Sequence, residues 1–277
     1  MSPTLLRTPA HHRLLALETS TDQLSVAVGA GGEGGQVAEY NGPGAAQSSM
    51  HLLPSVQRLL TQVGWPLASL DAIVVARGPG SFTGLRTACA VAQGLAYGAQ
   101  AASERVAEQG GLPVLPVDTL LALGEEARFR HAAAGGAPVG WVAAGLDARM
   151  GEMYVALYAC GPEGLSPEPV QAPRLCAPPD WLGSVQSSLP PGMALTPGEV
   201  LWAGNAFQVY PEPLAGLPGP RVEALPTAAA LLRLAPRLLA AGAAVAAADT
   251  LPVYVRDKVA RTTDEREAAR LAALGAA

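Results

Sequence analysis

Residues 77–86, RGPGSFTGLR, bring together groups able to hold an anion. Gly78, Gly80 and Gly84 permit positive φ or a close backbone approach. Ser81 can cap a following helix, with Thr83 and Arg86 in its first turns, where unpaired N–H groups and the helix dipole favour negative charge. Two readings fit: a phosphate or carboxylate cradle, or a tight strand-to-helix turn whose glycines serve packing. A P-loop is excluded, because GxxxxGK[ST] needs Lys after its second glycine and Gly84 is followed by Leu85 and Arg86. A second polar cluster, Glu18-Thr19-Ser20-Thr21, follows an apolar run. A third, Asp147 to Glu152, contains Asp147 and Arg149, spaced to form an ion pair that holds a turn. His11, His12, His51 and His131 supply no three-ligand metal set, and no GxSxG elbow supports a Ser-His-Asp arrangement. Cys89 falls in mid-helix, too far from the N-terminus for a lowered pKa. No catalytic residue and no metal ligand set is expected.

The elements that must position these groups follow from hydrophobic periodicity. Apolar runs at Leu14–Leu17, Leu24–Val28 and Val37–Tyr40 predict an antiparallel meander. Leu52, Val56, Leu59, Leu60 and Val63 predict a helix over 48–63. DAIVVA (71–76) reads as a buried strand, followed by a helix from Phe82 to Tyr97. Residues 100–112 read as a surface loop, LPVLPV as a strand and 119–132 as a helix, with His131 in a loop. WVAAGLD and EMYVALYA predict two further strands, starting a second unit of similar plan. Residues 161–226 are proline-rich, and only VLWAGN (200–205) reads as a strand. A helix over 227–241, kinked or interrupted at Pro236, precedes the extended LPVYVRDKV and a polar tail helix. The organisation predicted is a disordered leader (1–12), an N-terminal subdomain (13–117), a C-terminal subdomain (118–250) and a C-terminal segment (251–277).

Composition limits the function classes. The chain has 277 residues, 49% hydrophobic and 15% charged, which is globular rather than disordered. With 18 Lys and Arg against 23 Asp and Glu, the net charge is −5 and the pI about 5.4. No window collects the basic residues that track phosphates, so autonomous tRNA binding is not expected. Three scattered cysteines read as reduced thiols, which points to a cytoplasmic protein. Mean hydropathy is positive, yet charges and prolines interrupt the alanine-rich stretch after Pro226, so no membrane association is expected.

Four blocks, LLALETSTDQLSVAV (14–28), ARGPGSFTGLRTACAVAQGLAYG (76–98), LDARMGEMYVALY (146–158) and LPVYVRDKV (251–259), resemble the TsaB (YeaZ) family in order and spacing. The resemblance implies an α/β actin-like ATPase (ASKHA) fold of two similar subdomains, each a mixed sheet flanked by helices. It also implies a non-catalytic dimerisation subunit that pairs with TsaD, and through it with TsaE, to make N6-threonylcarbamoyladenosine at position 37 of tRNAs reading ANN codons. The sequence departs from the family at Glu18, where Asp is usual; the extra methylene changes any water or Mg²⁺ geometry the Asp would supply. TsaD binds metal through two helical histidines at i and i+4, whereas His51 has Gln47 and Ser55 at those positions. The second phosphate loop of actin-like ATPases wants glycines after Asp, and here Ala148 and Arg149 stand there. The nucleotide cleft formed by Glu18, Thr19, Ser20, Gly78, Gly80, Ser81, Thr83, Gly84, Arg86, Asp147 and Arg149 is therefore read as degraded. No cofactor is expected to bind this chain tightly on its own, with ATP or ADP possible only at a complex interface. The competing reading is an active actin-like phosphotransferase or a metallopeptidase-like enzyme.

A helical wheel over 82–97 puts Leu85, Ala88, Val91, Ala92 and Leu95 on the core side. The other side carries Thr83, Arg86, Thr87, Ala90, Gln93, Gly94 and Tyr97, a small, weakly charged stripe suited to close helix approach. The neighbouring helix offers His51, Pro54, Ser55, Arg58 and Gln62. The partner interface, with TsaD and with a second copy of the chain, is expected on these two helices.

Overall fold

The computed structural model describes residues 12–256 apart from 33, 45–46, 109, 191–195 and 197. The expected tail helix and all of the leader but His12 lie outside the described residues. His12 itself is buried, a correction to its place in a loose leader.

The meander forms as β1 (Leu14–Glu18), β2 (Gln23–Gly29) and β3 (Val37–Pro43), antiparallel throughout. Helix α1 (Ser48–Val63) crosses to β4 (Ala72–Gly78), which lies parallel to β1. Helix α2 (Phe82–Ala101) outruns its predicted end at Tyr97 and is followed by a short α3 (Glu104–Glu108), then β5 (Val114–Asp118). The stretch expected as a surface loop thus holds a helical turn, because Val106 and Leu112 are apolar and join the core beside α2. The first sheet has the order β3-β2-β1-β4-β5.

Helix α4 (Thr119–Ala133) leads to β6 (Trp141–Asp147), β7 (Met153–Gly161) and β8 (Gly164–Cys176), and His131 falls in the last turn of α4 rather than in a loop. Helix α5 (Trp181–Ser188), β9 (Val200–Ala203), the short α6 (Ala206–Val209) and β10 (Arg221–Val222) complete a second sheet ordered β10-β9-β6-β7-β8. The two sheets share one plan: an antiparallel hairpin partner on one side of the first strand, and parallel strands on the other. Strand β8 escapes pattern reading because Pro167, Pro169 and Pro173 interrupt it. It is an edge strand, where a missing N–H breaks no second ladder.

Three apolar layers hold these elements. Leu15, Leu17, Ile73 and Val75 face outward from the first sheet onto Leu52, Val56, Ala88 and Ala92 of α1 and α2. Their sequence neighbours Leu14, Ala16 and Val74 face the other way, onto α4 and α7 (Ala228–Ala240), as strand alternation requires. Val142 and Ala144 of the second sheet close the same layer, so α4 and α7 lie between the sheets. On the far side, Trp181 of α5 packs edge-on against Trp202 of β9 at 4.9 Å.

Helix α7 belongs by sequence to the second unit, yet it packs on β1 and β2 of the first. It continues through Pro236, which excludes the interruption that sequence offered beside a kink. Proline leaves the carbonyl four residues back, that of Leu232, without its helical donor, and the N–H of Gly32 fills the place at 3.0 Å. Thr227 caps the helix by accepting from Ala230 N–H at 3.0 Å. Among the described residues no helix is long and apolar enough to cross a membrane.

Candidate functional site

The carboxyl ends of β1, β4 and β6 open into one cleft of about 410 Å³, the position at which open α/β sheets bind ligands. Its walls are the β1–β2 turn (Ser20 to Asp22), the loop entering α2 (Pro79 to Thr83), the β6–β7 turn (Leu146 to Met150), Asn205, and the chain from Val253 to Arg256.

The glycines of the decapeptide serve backbone approach within the protein. A Cβ at Gly84 would stand 1.8 Å from the Thr19 carbonyl oxygen, and one at Gly80 would stand 2.5 Å from that of Ser20. Gly78 has φ +124°, and a Cβ there would meet the Val253 carbonyl at 2.3 Å. The β1–β2 turn is thus pressed into the loop, held by Ser81 N–H on the Ser20 carbonyl at 2.6 Å and Thr19 Oγ1 on the Gly84 carbonyl at 2.7 Å. Ser81 caps α2 through a long contact of 3.4 Å with Gly84 N–H. Arg86, which sequence would aim at an anion, lies over the Phe82 ring at 3.7 Å and donates to Tyr254 Oη at 2.9 Å.

Glu18 is fully buried and accepts from Ser20 N–H, while its Oε2 has no partner. Burial penalises its charged form and, despite the hydrogen bond from Ser20 N–H, lifts its pKa from 4.5 to about 7. Ser20 Oγ is likewise buried without a partner.

In the β6–β7 turn the anticipated Asp147–Arg149 ion pair does not form. Asp147 Oδ1 accepts instead from Arg149 N–H at 2.9 Å and from Tyr210 Oη at 2.7 Å. Desolvation, with the carboxylate of Asp147 next, pushes the Tyr210 hydroxyl up to about 12. The Arg149 guanidinium reaches across the cleft to Asp22 at 3.1 Å. Arg149 and Met150 adopt φ of 62° and 57°, the left-handed region that glycines would occupy at no cost. Their side chains line the cleft where a glycine loop would leave room.

Among the described residues no group of three or more His, Cys, Asp and Glu is arranged to hold a metal. His51 is half-buried on α1, and His131 bonds the Ala137 carbonyl through Nε2 at 2.9 Å. On the outer helices Pro54, Thr83, Ala90, Gly94 and Tyr97 are exposed and Thr87 is half-buried. Arg58 is exposed over the Tyr40 ring at 4.7 Å. Ser55 is buried, since it falls beside Leu52, Val56 and Leu59 on the core stripe, and presents no surface. Sequence reading missed Met50 and Leu53, exposed apolar residues three apart on α1 whose position off the core stripe was the available signal. It also missed that residues 253–256 line the cleft.

The protein-family model for TsaD, tRNA N6-adenosine threonylcarbamoyltransferase, matches residues 43–263. The tRNA threonylcarbamoyladenosine biosynthesis protein TsaB of Escherichia coli is 32% identical over 257 residues, 90% of this chain and 96% of that protein. The TsaB of Haemophilus influenzae is 38% identical over 141 residues, 51% of each chain. Among solved structures, YeaZ from Pseudomonas aeruginosa superposes with a TM-score of 0.68 at 32% identity, covering 88% of this chain and 99% of its own. The twin mixed sheets with paired helices between them are those of an actin-like ASKHA fold, and by sequence and architecture together the chain belongs to the TsaB (YeaZ) family.

Proposed function

We propose that this chain acts in the biosynthesis of N6-threonylcarbamoyladenosine at A37 of tRNAs reading ANN codons, as a subunit that pairs with TsaD and supplies no catalytic group itself. TsaE joins through TsaD, and the chain also pairs with itself. The observation that carries the reading is the altered lining of the cleft: Gly84, Gly80 and Gly78 are taken up by close approach of the Thr19, Ser20 and Val253 backbone, and Arg149 and Met150 stand in the second turn. The glycine backbone that would cradle phosphates is engaged within the protein, and the reading assigns tight nucleotide binding to surfaces that include a partner. The exposed stripe Ala90, Gly94 and Tyr97 on α2, with Met50, Leu53 and Pro54 on α1, supports a helical docking face. The reading places the protein in the cytoplasm, with its tRNA.

The test is reconstitution. The purified chain, incubated with tRNA and threonylcarbamoyl-adenylate, should transfer nothing and should not retain tRNA at physiological salt. Addition of TsaD should give modification that depends on both chains. Turnover by the chain alone, abolished by Glu18→Ala or Asp147→Ala, would overturn the proposal in favour of an independent enzyme.

A further inference from the structure

The cleft is spanned by a stretch of chain that has no regular secondary structure, residues 250–256, anchored on both of its walls. On the first unit, Gln93 Nε2 donates to the Thr250 carbonyl at 3.1 Å and Val253 N–H to the Arg77 carbonyl at 2.7 Å. Tyr254 stacks on Phe82 with centroids 4.7 Å apart and accepts from Arg86. On the second unit, Arg256 pairs with Glu152 at 2.9 Å and donates to the Ala148 carbonyl at 3.2 Å, its side chain only 11% exposed.

We propose that residues 250–256 are a strap that sets the opening of the cleft, and that whatever enters the cleft must first release it. The contrast with the other inter-unit contacts supports this. The Asp22–Arg149 pair also crosses the mouth, but both side chains are about three-quarters exposed, so solvent screens it and it restrains little. Between the sheets, by contrast, α4 and α7 share one continuous apolar layer. Within that layer Arg233 of α7 is buried against Glu125 and Glu126 of α4. A buried, ion-paired joint, and a mouth held by one extended segment, are the parts of a hinge: separation is resisted between the helices and decided at the strap. On the second unit the strap is held by the Arg256 side chain, whereas on the first Tyr254 adds to the Val253 and Thr250 backbone contacts, so loss of Arg256 frees both rims and loss of Tyr254 loosens them in part.

Hydrogen exchange on the full chain tests this, with each substitution read on the wall it does not bind. Tyr254→Ala removes the aromatic anchor on the first unit, leaving the Val253 and Thr250 backbone contacts, and is expected to raise exchange in the β6–β7 turn (148–152) about threefold. Arg256→Ala removes the anchor on the second and is expected to raise exchange in the loop entering α2 (79–83) at least tenfold. In both variants α4 and α7 should exchange as in the unaltered chain. The proposal is overturned if each variant loosens only its own wall, if neither rim changes, or if α4 and α7 loosen equally. The last outcome would make the strap a general staple. The readout is independent of TsaD, so it stands or fails separately from the proposed pairing.

Discussion

The carbonyl oxygen of Thr19 lies where a Cβ on Gly84 would be, 1.8 Å away, and the Thr19 hydroxyl closes the contact on the Gly84 carbonyl at 2.7 Å. Both residues are buried and the Thr19 carbonyl is backbone, so it cannot swing aside for a side chain. Gly84→Ala should therefore cost more than about 3 kcal/mol of unfolding free energy, beyond any gain in helix propensity. Urea denaturation measures it; a loss under 1 kcal/mol would mean the turn and α2 are not locked together.

Glu18 gives stability a pH dependence of definite sign. Its folded pKa of about 7 exceeds the ordinary 4.5, so the native state holds the proton more tightly. The contribution is complete below pH 4.5 and is lost as pH rises towards and through 7, on the order of 3 kcal/mol across the window. Glu18→Gln keeps the acceptor for Ser20 N–H without the buried charge. It should be more stable than the parent at pH 8 and should remove that part of the slope. Parallel stability curves for the two proteins from pH 5 to 8 would contradict this.

Arg233 is the shared cation of two buried carboxylates, donating to Glu125 at 3.0 Å and Glu126 at 2.5 Å. Burial alone would raise Glu126, but the charge and hydrogen bonds of Arg233, Arg130 and Thr227 bring its pKa below the usual value. That stability is present above the ordinary carboxylate pKa and is lost as pH falls through the lowered one. Arg233→Met leaves Glu125 to Arg128 at 2.8 Å, and Glu126 to Arg130 at 2.8 Å and the Thr227 hydroxyl at 2.9 Å. A loss of about 3 kcal/mol at pH 7.5, shrinking only as pH falls below about 4.5 and Glu126 takes up its proton, is the expected result in chemical denaturation.

Gly94 has open space around a built Cβ, so Gly94→Arg leaves the monomer intact and gains up to about 1 kcal/mol of helix propensity. At a helix-to-helix interface the same change buries an unpaired guanidinium and should weaken association by several kcal/mol. Size-exclusion chromatography with and without TsaD, beside circular dichroism, separates the two effects. A variant that stays dimeric and still binds TsaD moves the interface elsewhere.

The meander, the buried strands and the outer helices are legible in the sequence because each repeats a local period. Leu14 to Leu17 can only be covered on both faces, and Leu52, Val56 and Leu59 can only be one stripe of a helix. The family-bearing glycine motif is legible for the same reason, since three glycines between a strand and a helix require a close approach by something. What approaches them was decided by tertiary structure. Thr19, Ser20 and Val253 lie 65, 60 and 175 positions from Gly84, Gly80 and Gly78, and no local pattern encodes a contact between carbonyls. Packing likewise seated Arg86 between Phe82 and Tyr254 and sent Arg149 to Asp22 rather than to Asp147. A guanidinium takes the acceptor or ring that the fold brings within reach, which sequence spacing does not specify. Residues 251–256 read only as an extended run, and their role as a strap exists because the ends of two sheets meet beneath them.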